Sequence, residues 1–233
     1  MENDLIINKN PKSAFSEAIK TIRTNLAFAN VGGSNKVILI TSSQPGEGKS
    51  FITANLAVAY AQENKKVLVI DCDLRKGRQD KIFNVKNSST KGYSNLIVNY
   101  TEATNSFNEY TLPTSNKNIK VIPTGPTPPN PVELLGSKNN KKIIERLRCK
   151  FDVILLDCPP VLGLSDALIM TNYSDANIIV TASKQTKIEN LEQTKKAFEQ
   201  ANAKITGVIL NKVSLKDSNY YSYYNTNYYG QEE

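Results

Sequence analysis

The 233-residue chain contains no histidine, so no imidazole can serve as base, nucleophile or metal ligand. It holds three cysteines, Cys72, Cys149 and Cys158, which form no C-x-x-C pair and are odd in number. That pattern suits reduced thiols better than a zinc or disulfide framework. No run approaches the ~18 apolar residues of a membrane span. The start, MENDLIINKNPKS, lacks the basic-then-apolar order of a secretory signal, so the chain is expected to stay in the cytosol. The C-terminal segment lacks any aliphatic partner for its aromatics. In YYSYYNTNYYG, Tyr220 to Gly230, six of the 11 tyrosines occur with nothing beside them to build a core. Such tyrosines form an aromatic surface or present hydroxyls for chemistry.

Several short apolar, β-branched runs are present: KVILIT from Lys36, KVLVID from Lys66, IKVIPTG from Ile119, FDVILLD from Phe151, ANIIVTA from Ala176 and ITGVILN from Ile205. Runs apolar on both faces read as strands covered on both sides, and their alternation with helical patterns reads as parallel crossovers. The expected fold is therefore α/β, a doubly wound and mostly parallel sheet. Before it, SAFSEAIKTIRTNLAFAN aligns Phe15, Ile19, Ile22 and Leu26 on one helix face. Between Asp73 and Ile119 the pattern weakens to one helical stretch near 94–100, and a flexible region is expected there. The predicted organisation is an N-terminal helical segment over 1–33, a nucleotide-binding domain over 34–215 and a flexible tyrosine-rich tail over 216–233. The net charge of +7 suits phosphate ligands, anionic lipid or nucleic acid, but charge alone favours plain solubility, and no nucleic-acid partner is expected.

TSSQPGEGKS, Thr41 to Ser50, joins the first strand to a helical pattern, the context in which G-x-G-K-[ST] is a phosphate cradle. Pro45, Gly46, Glu47, Gly48, Lys49, Ser50 and Phe51 form this nucleotide-binding stretch. Backbone N–H groups face the phosphates, Lys49 spans the outer ones, and the Ser50 hydroxyl reaches Mg2+. Ser43 stands where the usual pattern has its first glycine. Two later strands end in carboxylates at the edge where such sheets bind ligands: Asp71 and Asp73 in VLVIDCDLR, and Asp157 in VILLDCPP. Carboxylates on buried strands call for cations. Ser50, Asp73 and Asp157 are the candidate Mg2+ ligands. Lys49, Asp71 and Asp73 are the candidate catalytic residues, with Asp71 as proton acceptor, although spacing alone does not separate the two aspartates' roles. Asn211 and Lys212 end a late strand where guanine-binding proteins carry N-K-x-D. Ser214 replaces that aspartate, which favours adenine and hence ATP, with an ordinary turn as the other reading. The RKGR run, Arg75 to Arg78, adds positive charge at the edge of the site or forms a solvated turn.

Taken together, PGEGKS, the aspartate pair in VLVIDCDLR, TGPTPPNPVELL leading to VILLDCPP, and the tyrosine tail resemble the bacterial tyrosine kinases of capsule and exopolysaccharide synthesis. The resemblance runs from about Ser16 to the end. It implies a P-loop fold with Walker A, A′ and B motifs, Mg2+ and ATP as cofactors, and autophosphorylation in trans on Tyr220, Tyr221, Tyr223, Tyr224, Tyr228 and Tyr229. It further implies a homo-oligomeric ring, with Glu17, Lys20 and Arg23 at the contact, and a membrane adaptor whose cytosolic tail activates the kinase at the inner face of the membrane. Sugar-nucleotide enzymes are implied among the substrates. Lys20 departs from the family's middle arginine in E-x-x-R-x-x-R, and Cys158 stands where threonine is common. In PPNPVELL, Asn130 is placed to cap, Pro131 suits the first helical position and Glu133 completes a capping box. Partition and division ATPases share the fold and are the competing reading. They carry an extra lysine early in the loop, where this chain has Gln44.

Overall fold

The computed structural model describes residues 5–29, 36–85, 90–101 and 107–214. The six tail tyrosines, and with them the whole of 216–233, lie outside the described residues. Two helices lead in, α1 (Ile6–Lys9) and α2 (Ala14–Phe28). The sheet then builds through β1 (Val37–Ser42), β2 (Val67–Asp71), β3 (Leu112–Pro113), β4 (Ile119–Ile122), β5 (Val153–Asp157), β6 (Ala176–Ala182) and β7 (Gly207–Asn211). Between strands lie α3 (Lys49–Ala61), α4 (Gln79–Ile82), α5 (Tyr93–Val98), α6 (Pro131–Leu135), α7 (Lys138–Arg148), α8 (Asp166–Met170) and α9 (Ile188–Gln200).

The strand order is β3-β4-β2-β5-β1-β6-β7, and every pairing is parallel except β3 with β4. All six apolar runs in the sequence became strands, and β1, β2, β5 and β6 are buried along their whole lengths. Side chains of one strand alternate between faces, so each strand feeds two cores. Ile38, Ile40, Val67, Val69, Leu155 and Ile178 meet α1, α2 and α3 on one face. Val37, Leu39, Leu68, Ile70, Ile154 and Leu156 meet the helices of the other, with Leu96, Leu135, Ile143, Leu147, Met170 and Phe198 among them. The α2 face falls as its spacing predicts: Ile19 and Leu26 are buried, with Phe15 and Ile22 packed against the same cluster.

Two local features differ from the sequence reading. The antiparallel β3 was absent from it, because two residues carry no periodicity. Pro113, which cannot donate to a ladder, is tolerated because β3 is an edge strand. Asn130 takes the N-cap position of α6 with Pro131 in its first turn, yet its side chain makes no capping bond. The extended backbone of Ser13 (φ −67°, ψ 152°) and Ser137 (φ −70°, ψ 155°) aims their hydroxyls at the N–H three residues on, and both bonds form. Asn130, at φ −126° and ψ 75°, is turned out of that geometry.

The register brings the site together. Asp71 lies directly beside Asp157 across β2 and β5, and Asp157 beside Ile40 of β1, two residues before that strand ends. The phosphate loop and both carboxylate strands therefore meet at one carboxyl edge, where β1 is flanked by β5 and β6. Among the described residues, no helix is long and apolar enough to cross a membrane.

Candidate active site

The loop from β1 to α3 turns on Gly46 and Gly48, at φ +84° and +98°. At Gly48 a second constraint applies, because an added Cβ would sit 2.1 Å from Asn211 Nδ2. Glycine is required there for backbone shape and for the side chain behind it. Ser43, the departure from the usual first glycine, is not among the positive-φ residues. Its hydroxyl is buried and bonds the Thr194 hydroxyl of α9 at 2.9 Å, so a side chain is accommodated where the loop does not need freedom.

Glu47 is buried inside the loop. Its carboxylate accepts the Gln44 N–H at 2.8 Å and the Thr186 hydroxyl, tying the loop to the end of β6. The Asn211 amide donates to the Glu47 carbonyl at 2.9 Å, and Lys212 Nζ to the Gly46 carbonyl at 2.7 Å and Gln185 at 2.8 Å. The pair from the end of β7 thus braces the back of the phosphate loop. Phe51 turns its ring away from the loop, onto Phe15 of α2 with centroids 5.0 Å apart, so only its backbone is available to a nucleotide. Pro45, Gly46 and Gln44 are exposed at the mouth.

Lys49 is the centre of the charge arrangement. Its Nζ lies 3.2 Å from Asp73, 3.4 Å from Asp157 and 3.4 Å from the Ser50 hydroxyl. Burial by itself lowers the ammonium's pKa, but Asp157, Asp73 and Asp71 outweigh it and the pKa rises, so Lys49 stays charged. Asp71 makes no contact with Lys49 in this arrangement. Its Oδ1 accepts the Asp73 N–H at 3.2 Å, and its Oδ2 accepts the N–H groups of Arg78 at 2.7 Å and Gln79 at 2.9 Å, which folds the segment after β2 into a tight turn. Burial and then the Asp157 charge hold the Asp71 carboxyl well above the usual carboxylate range, against the pull of the Gln79 N–H and Lys49.

The residues fit a divalent cation. Ser50, Asp73 and Asp157 present hard oxygens around one point, and the buried Gln79 Oε1 has no partner. Among the described residues no group of three His, Cys, Asp or Glu side chains could hold a metal unaided. That is the donor set of Mg2+, which takes one or two carboxylates and fills its shell with water and phosphate.

The predicted oligomer contact does not present itself as a single outward set. Glu17 and Lys20 pair with each other at 2.7 Å on the exposed face. Arg23 instead turns inward to the Ala59 carbonyl at 2.8 Å and Glu63 at 2.7 Å, at the end of α3. Arg75 reaches the buried Asp166 at 3.5 Å, so the basic run beside the site is partly anchored to α8. Cys72 and Cys158, one residue beyond the two strand-end aspartates, are buried free thiols, and Cys149 is an exposed one. Sequence reasoning missed Glu47's inward role, Thr186, Thr194 and Gln79.

The AAA domain family profile matches residues 35–211. The chain is 38% identical to tyrosine-protein kinase YwqD of Bacillus subtilis, over 97% of its own length and 93% of the relative's. It is 39% identical to the putative tyrosine-protein kinase CapB of Staphylococcus aureus, over 94% of each. Among solved structures, the chimerical protein CapA2B2 superposes with a TM-score of 0.84 at 34% identity, covering 91% of this chain and 90% of that one. The septum site-determining protein MinD of Pyrococcus horikoshii, solved with Mg-ADP, is more distant, with a TM-score of 0.61 at 25% identity over 75% of this chain and 69% of that one.

Proposed function

The chain belongs to the bacterial tyrosine-protein kinase family, and from that premise we propose that it phosphorylates the tail tyrosines of a second copy of itself and governs capsular or exopolysaccharide synthesis and export. The activity is protein-tyrosine kinase activity with ATP as phosphoryl donor. The observation that supports the phosphoryl-transfer part of this reading is that Ser50, Asp73 and Asp157 gather around Lys49, with Asp71 beside Asp157 at the edge where α3 begins.

Phosphoryl transfer passes through a loose transition state, so positioning and charge neutralisation do most of the work. Ser50, Asp157 and Asp73 would hold Mg2+, which when bound would supply charge neutralisation at the phosphates. The first-turn N–H groups of α3 and the loop receive phosphate oxygens. Lys49 exchanges its carboxylate partners for the transferring phosphate. As the tyrosine oxygen bonds to the γ-phosphorus, the bond from that phosphorus to the ADP oxygen breaks and the phenolic proton leaves to a carboxylate. A phenol of pKa near ~10 needs such an acceptor at neutral pH. Asp71 is assigned the proton because Asp73 shares Lys49 with Asp157; the role requires its carboxylate form, which a cation held at Asp157 would favour by offsetting the charge that raises the Asp71 pKa. Asp71 Oδ1, which accepts a single N–H, keeps a lone pair for the hydroxyl. Asn211 and Lys212 brace the loop from behind, and the end of β7 that bears them is assigned as the wall for the adenine.

The test is mass spectrometry after incubation with Mg-ATP. Phosphotyrosine within 220–229 is expected; its absence, with ATP merely hydrolysed, sinks the reading in favour of a positioning ATPase. Asp71→Asn is expected to keep nucleotide affinity within about threefold and to lose transfer. A collapse of affinity instead assigns Asp71 to the metal shell.

Transfer between copies needs an assembly, and the reading that the family resemblance supports is a ring activated by the cytosolic tail of a membrane adaptor, with sugar-nucleotide enzymes as further substrates. On this reading the kinase works in the cytoplasm and is recruited by that adaptor to the inner face of the membrane. Glu17 and Lys20 pair on the solvent side of α2, which leaves them available for the proposed ring contact, while Arg23 fixes α2 to α3. Alanine at Glu17 and Lys20 together, leaving the internal Arg23 anchor in place, is expected to reduce the mass seen by light scattering without unfolding the subunit. A wild type that stays monomeric at every concentration, with the adaptor tail added, removes the ring.

A further inference from the structure

Gln79 opens α4 eight positions after Asp71, inside the site yet outside every motif that identifies it, and its side chain is wholly buried. Its Nε2 donates to Asp157 Oδ2 at 2.8 Å and to the Ser50 carbonyl at 3.1 Å. Both of these atoms are acceptors only, so chemistry fixes which end of the amide faces them. The oxygen is then turned the other way. Oε1 is buried with no hydrogen-bond partner, one of four such side-chain atoms among the described residues. An amide oxygen is seldom left so, because nothing repays its lost hydration.

The same amide divides the work of Asp157. With Oδ2 held by Gln79, the carboxylate plane is fixed and Oδ1 is the oxygen turned to Lys49, at 3.4 Å. The Ser50 carbonyl bond ties the amide to the residue whose hydroxyl stands 3.4 Å from that same ammonium. Its backbone N–H adds a third link, to Asp71 Oδ2 at 2.9 Å. One residue therefore joins the phosphate-loop helix, the strand-end Asp157 and the carboxylate beside it. The orphaned oxygen is a single carbon away from the nitrogen that makes two of these links.

We propose that Gln79 is a positioning residue for the cation of this kinase: Nε2 aims the Asp157 carboxylate, and Oε1 accepts a hydrogen bond from a water in the cation's hydration shell. Mg2+ keeps several of its waters on binding, and each needs acceptors around it. A neutral amide oxygen accepts from such a water without adding a further negative charge beside Asp71, Asp73 and Asp157. The inference rests on the reading of this edge as the Mg-nucleotide site.

The experiment measures binding of a fluorescent ATP analogue to the intact chain, first in EDTA and then across a Mg2+ titration. In Gln79→Met, similar in length but unable to hydrogen-bond, affinity in EDTA is expected to stay within about twofold of wild type. The Mg2+ concentration for half-maximal enhancement is expected to rise about tenfold, the scale of losing an outer-shell partner of a metal ligand. The kcat for phosphotyrosine formation is expected to fall by a similar factor, with KM for ATP at saturating Mg2+ little changed. A purely structural role lowers the melting temperature and leaves the Mg2+ midpoint alone, and that result overturns the proposal. If Gln79→Met melts too early to measure, Gln79→Asn replaces it. One methylene shorter, it cannot span Asp157 and the Ser50 carbonyl together, and the same shift is expected, with an unshifted midpoint overturning the proposal. A wild-type protein whose nucleotide binding ignores Mg2+ overturns the site reading and this inference with it. A normal wild-type response shared by the variant overturns the inference alone.

Discussion

Lys49→Met is expected to remove phosphotyrosine formation by about 1000-fold or more while the protein still folds, since one preorganised donor at a developing charge is worth ~10²–10³ in rate and Lys49 serves both phosphate and metal ligands. Methionine keeps the length and apolar stem, so α3 and the core beneath it are undisturbed. What changes is the charge balance. Lys49 stands between Asp73 and Asp157, whose side chains are 8% and 0% exposed, and its loss leaves two nearly dry carboxylates facing each other. Breaking a buried pair by removing one partner costs up to ~3–5 kcal/mol. The actual loss is expected to be smaller, because the site opens at the exposed Pro45 and Gly46 and water can enter. The melting temperature of Lys49→Met is thus expected to fall by several degrees in EDTA and to recover more on adding Mg2+ than wild type gains, since the ion then neutralises both aspartates. Circular dichroism melts with and without Mg2+, beside a phosphotyrosine blot, measure both effects. A folded variant that keeps wild-type activity would falsify the phosphate-loop assignment. Loss of activity with no added Mg2+ response instead argues that Lys49 and the metal do not share these carboxylates.

The large features were legible because physics leaves them few alternatives. Strands buried on both faces need unbroken apolar runs, and β1, β2, β5 and β6 have them; the run that forms β7 reads the same way, but at the sheet edge its Val208 and Leu210 are exposed. Strand-end aspartates next to a glycine loop need cations, which is why Asp71, Asp73 and Asp157 could be gathered from sequence alone. What was hidden are the side chains that act through one another. Gln79 carries no spacing signal, because its partners Asp157 and the Ser50 carbonyl lie 78 and 29 positions away. Ser43 looked like a defect in the loop motif until Thr194 of α9 was seen to bond it. Glu47 could have been caught. A carboxylate inside a phosphate-binding loop repels its own ligand unless it turns inward, and the structure turns it to Gln44 N–H and Thr186. Arg23 shared a helix face with Glu17 and Lys20 by spacing, but a helical face spans more than one neighbour, and Arg23 lies on the side that meets α3.

The tyrosine cluster gives the second large effect. Changing Tyr220, Tyr221, Tyr223, Tyr224, Tyr228 and Tyr229 together to phenylalanine removes six hydroxyls and keeps six rings. The segment carries no aliphatic residue for those rings to pack with, so the melting temperature is expected to move by less than about 1 °C. Autophosphorylation is expected to fall at least about 20-fold, with the remainder on scattered sites. The catalytic carboxylates are untouched, so the same variant is expected to phosphorylate an added peptide copy of 216–233 at close to the wild-type rate. Mixing it with Lys49→Met then separates donor from acceptor. One chain has an intact site and no hydroxyls; the other has hydroxyls and no phosphate-loop lysine. Label on the Lys49→Met chain can arise only by transfer between copies, and its rate is expected to rise with total concentration. Each added phosphate brings about −1.5 to −2 charges, enough to offset much of the chain's +7 within a few transfers and to weaken whatever basic contact holds copies together. The labelling rate in the mixture is accordingly expected to slow as phosphate accumulates, while the rate on free peptide does not. If the inactive chain stays unlabelled where wild type labels itself, transfer occurs within one chain, and the tail of each copy must reach its own Asp71.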